Sequence, residues 1–162
     1  MQRSEEKQQS ELPMCGRLRI DFERQGDERM KTIRVPAEVN QLEMVNNFIG
    51  EELEKCGCSM KVQMQVELAV EEIFVNIANY AYHPEVGEAE IDVDAGGDPP
   101  TVTIRFLDHG APFNPLEDVA EDKKAEARDF GGLGIMLVKK SMDDVVYSYE
   151  DGKNILTICK KL

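Results

Sequence analysis

The sequence predicts an α+β fold, a two-layer sandwich of helices on a sheet, and a change of period carries that prediction. Between Val39 and Tyr82 apolar residues recur at spacings of three and four, as on one side of a helix; from Ala89 onward they alternate with polar residues, as along a strand. The helical stretches are grouped and the strand-like runs come in pairs joined by turn residues, which favours antiparallel strands with segregated helices. At 162 residues the chain suits one domain with a real core.

Met1 to Leu12 is polar and rich in Gln, Ser and charge, a tail. A short extra strand follows where Leu18, Ile20 and Phe22 alternate with Arg17, Arg19 and Asp21, and Gly26 ends it. We therefore divide the chain into a tail over 1–26 and a folded domain over 27–162. Lys31 to Val35 alternates again. Pro36 is expected to open a helix, since a first-turn residue needs no paired N–H; that helix carries Val39, Leu42, Val45, Ile49 and Leu53 and stops near Gly57. A second helix spans Lys61 to Tyr82 and ends at Pro84. Ala89–Val93 and Thr101–Leu107 form a hairpin around Gly96 to Pro100. After a non-repetitive segment, Leu133 to Met142 reads as a short helix. Val145–Tyr149 and Asn154–Cys159 then pair across Asp151-Gly152, a tight-turn signal.

A formal net charge of −13 repels phosphate backbones and anionic lipid, which argues against generic nucleic-acid or membrane binding. A bound nucleotide would need local compensation from helix N-termini, backbone N–H groups or a divalent cation. No apolar run nears the roughly 20 residues that span a bilayer, and the first ten residues hold no signal-peptide core, so a cytoplasmic protein is expected. Cys56 and Cys58 are too close for a zinc knuckle. The four cysteines read as reduced, small side chains.

Three segments carry candidate chemistry. On the second helix, Val66, Val70, Ile73, Ile77 and Ala81 form the apolar stripe, while Glu72, Asn76 and Asn79 share its flank. A carboxylate and an amide one turn apart can converge on a hydrated metal ion, or simply hydrogen-bond at the rim of a core. Asp108 stands where a buried strand ends, able to accept from an exocyclic amine, and Gly110 lets a flat ring approach the backbone; the same residues also suit a plain turn. Gly131 and Gly132 precede a helix that has Gly134 in its first turn, so backbone N–H groups can face an anion. That segment is neither a P-loop nor a dinucleotide fingerprint.

Together, Glu72-x-x-x-Asn76, Asp108-x-Gly110 and Gly132-x-Gly134 follow one another in an order that resembles the Bergerat-fold (GHKL) histidine-kinase-like ATPases. Within them the chain looks most like the anti-sigma-factor serine/threonine kinases. The stretches from Asp108 to Leu116 and from Gly131 to Val145 are the closest matches, with the Asp151-Gly-x-Asn-x-Leu156 hairpin. The resemblance covers about Lys31 to Leu162. It implies a mixed, mostly antiparallel sheet covered on one face by helices, and ATP with Mg²⁺ as cofactors. It implies that Asn76 holds Mg²⁺, that Glu72 is the catalytic group meeting the attacking hydroxyl, and that Asp108 reads the adenine amine. Gly110 gives the ring room; Gly132, Leu133 and Gly134 meet the phosphates; Asn79 joins the nucleotide-binding set; and Glu117 to Arg128 form a lid. It further implies a homodimer whose partners are a STAS-type anti-anti-sigma protein and a sigma factor, with no direct nucleic-acid or membrane contact.

The chain departs from that pattern in two places. Ala111 and Pro112 stand where a third glycine is common, and Arg128 lies out of register with the basic residue that often reaches the terminal phosphate, Phe130 being nearer its place. The expected function is thus a protein-serine kinase that also sequesters a sigma factor, with an ATP-gated binding module lacking phosphoryl transfer as the alternative. A plain interaction domain without nucleotide is the third reading.

Overall fold

The computed structural model describes residues 14–15, 18–19, 29–117 and 132–162. The tail, most of the expected first strand, the lid beyond Glu117, and Arg128, Phe130 and Gly131 lie outside the described residues. Two short strands, β1 (Met14–Cys15) and β2 (Leu18–Arg19), pair antiparallel. The main sheet has five strands in the order β3-β4-β5-β7-β6: β3 (Met30–Pro36), β4 (Glu88–Gly96), β5 (Thr101–Asp108), β6 (Asp144–Glu150) and β7 (Lys153–Lys161). All four of its ladders are antiparallel. The helices are α1 (Leu42–Lys55), α2 (Met60–Asn76) and α3 (Gly132–Ser141).

Directly paired residues share a face, and the rows Ile33–Ile91–Phe106–Leu156–Tyr147 and Lys31–Val93–Ile104–Ile158–Val145 run across all five strands. Ile91, Phe106, Ile104 and Ile158 form one buried cluster with Val45, Ile49 and Leu53 of α1, Val66, Val70 and Ile73 of α2, and Ile135 and Val138 of α3. The predicted apolar stripe of the second helix is therefore the surface that seats it on the sheet. Val66, Val70 and Ile73 are each 1% exposed or less.

Local chemistry sets the ends of the elements. Gly57 takes a φ of +64° after α1, where its N–H donates to Glu54 O and the Cys58 N–H to Leu53 O, the pairing of a glycine-terminated helix. Ser59 Oγ accepts from Val62 N and caps α2. Asp151 and Gly152 both adopt positive φ, as the two-residue turn between β6 and β7 requires. Pro36 does not open a helix. It is the last residue of β3, paired with Glu88, because a sheet edge tolerates a residue without an N–H. The chain then passes through a 3-10 turn, Val39–Gln41, before α1 begins. The second helix also ends differently: after Asn76 it widens into a π turn, Ile77–Ala81.

Truncation of the core should cost far more than truncation of the helix backs. Phe106→Ala, at a side chain 1% exposed, is expected to lower unfolding free energy by about 3–5 kcal/mol. Met64→Ala, at 57% exposure, should change it by less than about 0.5 kcal/mol. Urea denaturation of the two variants checks both values.

Candidate nucleotide site

One row beyond the apolar rows, the same face of the sheet stays apolar at Val35 and Ala89 but turns polar at Asp108 and Asn154. Val35, Ala89, Asp108, Asn154 and Tyr149 are directly paired in sequence across the five strands. Asp108 and Asn154 lie two residues beyond Phe106 and before Leu156, so they point to the helix side like those residues. Both are buried, at 6% and 7% exposure. A buried carboxylate needs donors, and Asp108 Oδ1 has two: Gly110 N at 2.9 Å and Asn154 Nδ2 at 2.9 Å.

Gly110 joins this row to the π turn that follows α2. A Cβ there would overlap the carbonyl oxygen of Ala81 and stand 2.8 Å from its carbon and 2.9 Å from Asp108 Oδ1. The obstacle is mainly backbone, which cannot swing aside. Glycine is thus required where the π turn and the loop after β5 cross. Tyr82 reinforces the crossing: its hydroxyl donates to Glu88 O at 2.6 Å and accepts from His109 N at 2.7 Å. Burial pushes the Tyr82 phenol's pKa up, with the His109 N–H pulling the other way, so the hydroxyl keeps the proton it donates.

The other contact is at the opposite end of the α2 flank. A Cβ on Gly134 would overlap Glu72 Oε2 and stand 2.7 Å from Glu72 Cδ. The Glu72 carboxylate therefore lies against the first turn of α3, where the helix's positive end and its unpaired N–H groups favour an anion. Glu72 and Asn76 are both half-buried on α2; Asn79 is exposed in the π turn, and Leu133 is 61% exposed. Gly132 is the first residue of α3. From Glu72 to Ala81 the flank extends roughly 13 Å at the usual helical rise. Gly110, which holds Asp108 Oδ1, meets one end of it, and Gly134 meets the other.

The remaining contacts brace this arrangement. Lys139 Nζ donates to Leu116 O at 3.2 Å, joining α3 to the chain after β5, and Leu116 N donates to Asn114 Oδ1 at 2.9 Å. Among the described residues no group of three or more His, Cys, Asp or Glu is placed to hold a metal ion by itself. A hard cation at Asn76 would need further oxygens from a ligand and water, the manner in which Mg²⁺ binds beside phosphates. No described helix is long and apolar enough to cross a membrane.

Comparisons with known proteins give the family and the fold. Residues 35–160 match the family described as Histidine kinase-like ATPase domain. The chain belongs to that family. Among curated relatives, a serine-protein kinase RsbW of Listeria monocytogenes is 28% identical over 134 residues, covering 77% of this chain and 83% of its own. A serine-protein kinase RsbW of Bacillus mycoides is 23% identical over 130 residues, covering 76% and 80%. A crystal structure of the RsbU and RsbW domains of a Mycobacterium tuberculosis protein superposes with a TM-score of 0.58 at 15% identity, over 82% of this chain. This chain spans 32% of that longer one, and the likeness establishes the α+β fold.

Sequence reading missed Asn154 and Tyr82 as parts of the site. Asn154 was legible as the polar member of an inward series with Leu156 and Ile158. Tyr82 gave no signal, because a tyrosine at a helix end reads as rim packing.

The two glycines should respond differently to a methyl group. Gly110→Ala is expected to lower stability by about 1–3 kcal/mol, since backbone must yield. At Gly134 only a side chain must move and Ala is the better helix former, so the penalty should largely vanish once Glu72 is also Ala. A double-mutant cycle on Glu72→Ala and Gly134→Ala, read by urea denaturation, should give a coupling of about 0.5–3 kcal/mol; additivity would contradict the contact.

Proposed function

We propose that the protein is an ATP- and Mg²⁺-dependent protein-serine kinase that acts as an anti-sigma regulatory factor. Its expected substrate is a serine of a STAS-type anti-anti-sigma protein, and its second partner is a sigma factor that it sequesters. The observation that carries the reading is the pair of glycine contacts, Gly110 beside Asp108 at one end of the α2 flank and Gly134 beside Glu72 at the other. That span suits a nucleotide laid along the flank with its base at Asp108 and its phosphates at the start of α3. The names of the curated relatives, serine-protein kinases, support the reaction class.

In this reading Asp108 accepts a hydrogen bond from the adenine amine while Asn154 holds it from behind. Gly132, Leu133 and Gly134 present backbone N–H groups to the phosphates. Asn76 offers its side-chain oxygen to Mg²⁺, and Asn79 stands on the same flank. Bound Mg²⁺ would supply charge neutralisation between the phosphates, as in other phosphoryl-transfer sites. Glu72 takes or orients the proton of the attacking serine hydroxyl, because a carboxylate at the anion end of the flank is the one base on that face of α2. We assign this activity to residues 27–162 acting in the cytoplasm as a homodimer.

The deciding experiment is transfer of labelled phosphate from ATP to a purified anti-anti-sigma partner. Wild type should phosphorylate one serine, and Glu72→Ala should slow transfer by about 10²–10⁴-fold with ATP affinity little changed. Asn76→Ala should remove the Mg²⁺ dependence of ATP binding. Tight Mg-ATP binding by wild type with no phosphoprotein would sink the kinase reading in favour of an ATP-gated binding module.

A further inference from the structure

Asn154 has no hydrogen-bonding capacity left for a ligand. Its Nδ2 donates to Asp108 Oδ1 at 2.9 Å, Ala111 O at 3.0 Å and Gly110 O at 3.3 Å. Its Oδ1 accepts from Phe113 N at 3.0 Å and from the Tyr147 hydroxyl at 2.6 Å. An amide has two hydrogens and two lone pairs; here three acceptors share the hydrogens and two donors fill the lone pairs. Burial pushes the Tyr147 phenol's pKa up, against a smaller opposing pull from the Phe113 N–H, so Tyr147 keeps the proton with which it holds Asn154.

We propose that Asn154 is a positioning residue that sets the base selectivity of the site without touching the base. It ties together three strands and a loop. Tyr147 of β6 orients Asn154 of β7, which in turn pins Asp108 of β5 and gathers the backbone of Gly110, Ala111 and Phe113 beneath it. With Oδ1 fixed by Gly110 N and Asn154 Nδ2, the carboxylate cannot rotate, and Oδ2 is the oxygen left to meet a ring. A fixed acceptor suits a purine that carries an amine at position 6. A 6-oxo purine would set its carbonyl oxygen against that acceptor, leaving both unpaired in a buried place, which is costly. A carboxylate released from Asn154 could turn to avoid the clash and would discriminate less. Serial hydrogen bonds of this kind also strengthen one another, so loss of the Tyr147 donor should be felt at Asp108. The inference rests on the reading of Asp108 as the group that meets the base.

The test compares dissociation constants for ATP and inosine triphosphate, which share their phosphates and differ at position 6. They are measured on wild type, Asn154→Asp and Tyr147→Phe, with circular dichroism to establish that each is folded. Asn154→Asp keeps the size and an accepting oxygen but replaces the amide donor with a carboxyl that must share a proton with Asp108. The acceptor facing the base is then no longer held fixed and ionised. Wild type should prefer ATP by about a hundredfold or more. Asn154→Asp should cut that ratio by about tenfold to a hundredfold, chiefly by weakening ATP, and Tyr147→Phe by about threefold to tenfold. A general loss of packing would weaken both nucleotides together and leave the ratio alone. Folded variants with the wild-type ratio would overturn the proposal, and if Asn154→Asp does not fold, an unchanged ratio in Tyr147→Phe does so by itself. A wild type that binds both nucleotides equally would remove the Asp108 reading and this inference with it.

Discussion

The end of β5 is where the sheet, the second helix and the site are joined. Asp108 is the last residue of the strand, buried beside its direct partner Asn154, and two residues later the chain passes under the carbonyl of Ala81 with no side chain to spare. The burial of a carboxylate is tolerable there because two donors meet one of its oxygens. Those donors come from the loop and from β7, so the charge cannot be kept without keeping the loop. The π turn packs against that loop with no room for a side chain at Gly110. Much of what lies along the α2 flank depends on that crossing.

The far end of the flank obeys a different constraint. Glu72 is placed against the start of α3 by the absence of a Cβ at Gly134, and the helix dipole favours its charge. The same first turn is the anion-binding end of the proposed nucleotide site. A phosphate arriving there and the Glu72 carboxylate would therefore act on one another directly. In the proposed reaction that proximity would suit a base beside the terminal phosphate; room for the Glu72 carboxylate is the structural reason for a glycine at 134. The acidic chain, at −13 net charge, makes such local compensation necessary for any phosphate ligand.

The alternation of apolar residues made the sheet legible, because a helix-covered face leaves a period of two in every strand, as in Ile91 and Val93 or Leu156 and Ile158. The stripe through Val66, Val70 and Ile73 made α2 legible for the same reason. Pro36 misled, since helix-opening and strand-ending prolines share one fixed φ and only strand order tells them apart. Of the site, the motif residues Asp108, Gly110 and Gly134 were visible as turn and helix-start chemistry, but their neighbours were not. The contact of Gly134 with Glu72 links residues 62 positions apart in sequence, and no local pattern encodes it. Asn154 was legible only in part: alternation places it inward with Leu156 and Ile158, but strand register alone sets it opposite Asp108, and a slip of one residue would have turned it outward.

The proposed site has Asp108 as the anchor of a nucleotide laid along α2. Its most direct test is the melting temperature of wild type and Asp108→Ala with ATP in large excess, with and without Mg²⁺. A ligand at a hundred times its Kd adds about 2.7 kcal/mol, or roughly 5–10 °C for a domain of this size. Wild type should show that rise, larger with Mg²⁺, and Asp108→Ala should show almost none. A wild-type melting temperature that Mg-ATP leaves unmoved, or an equal rise in both proteins, would contradict it.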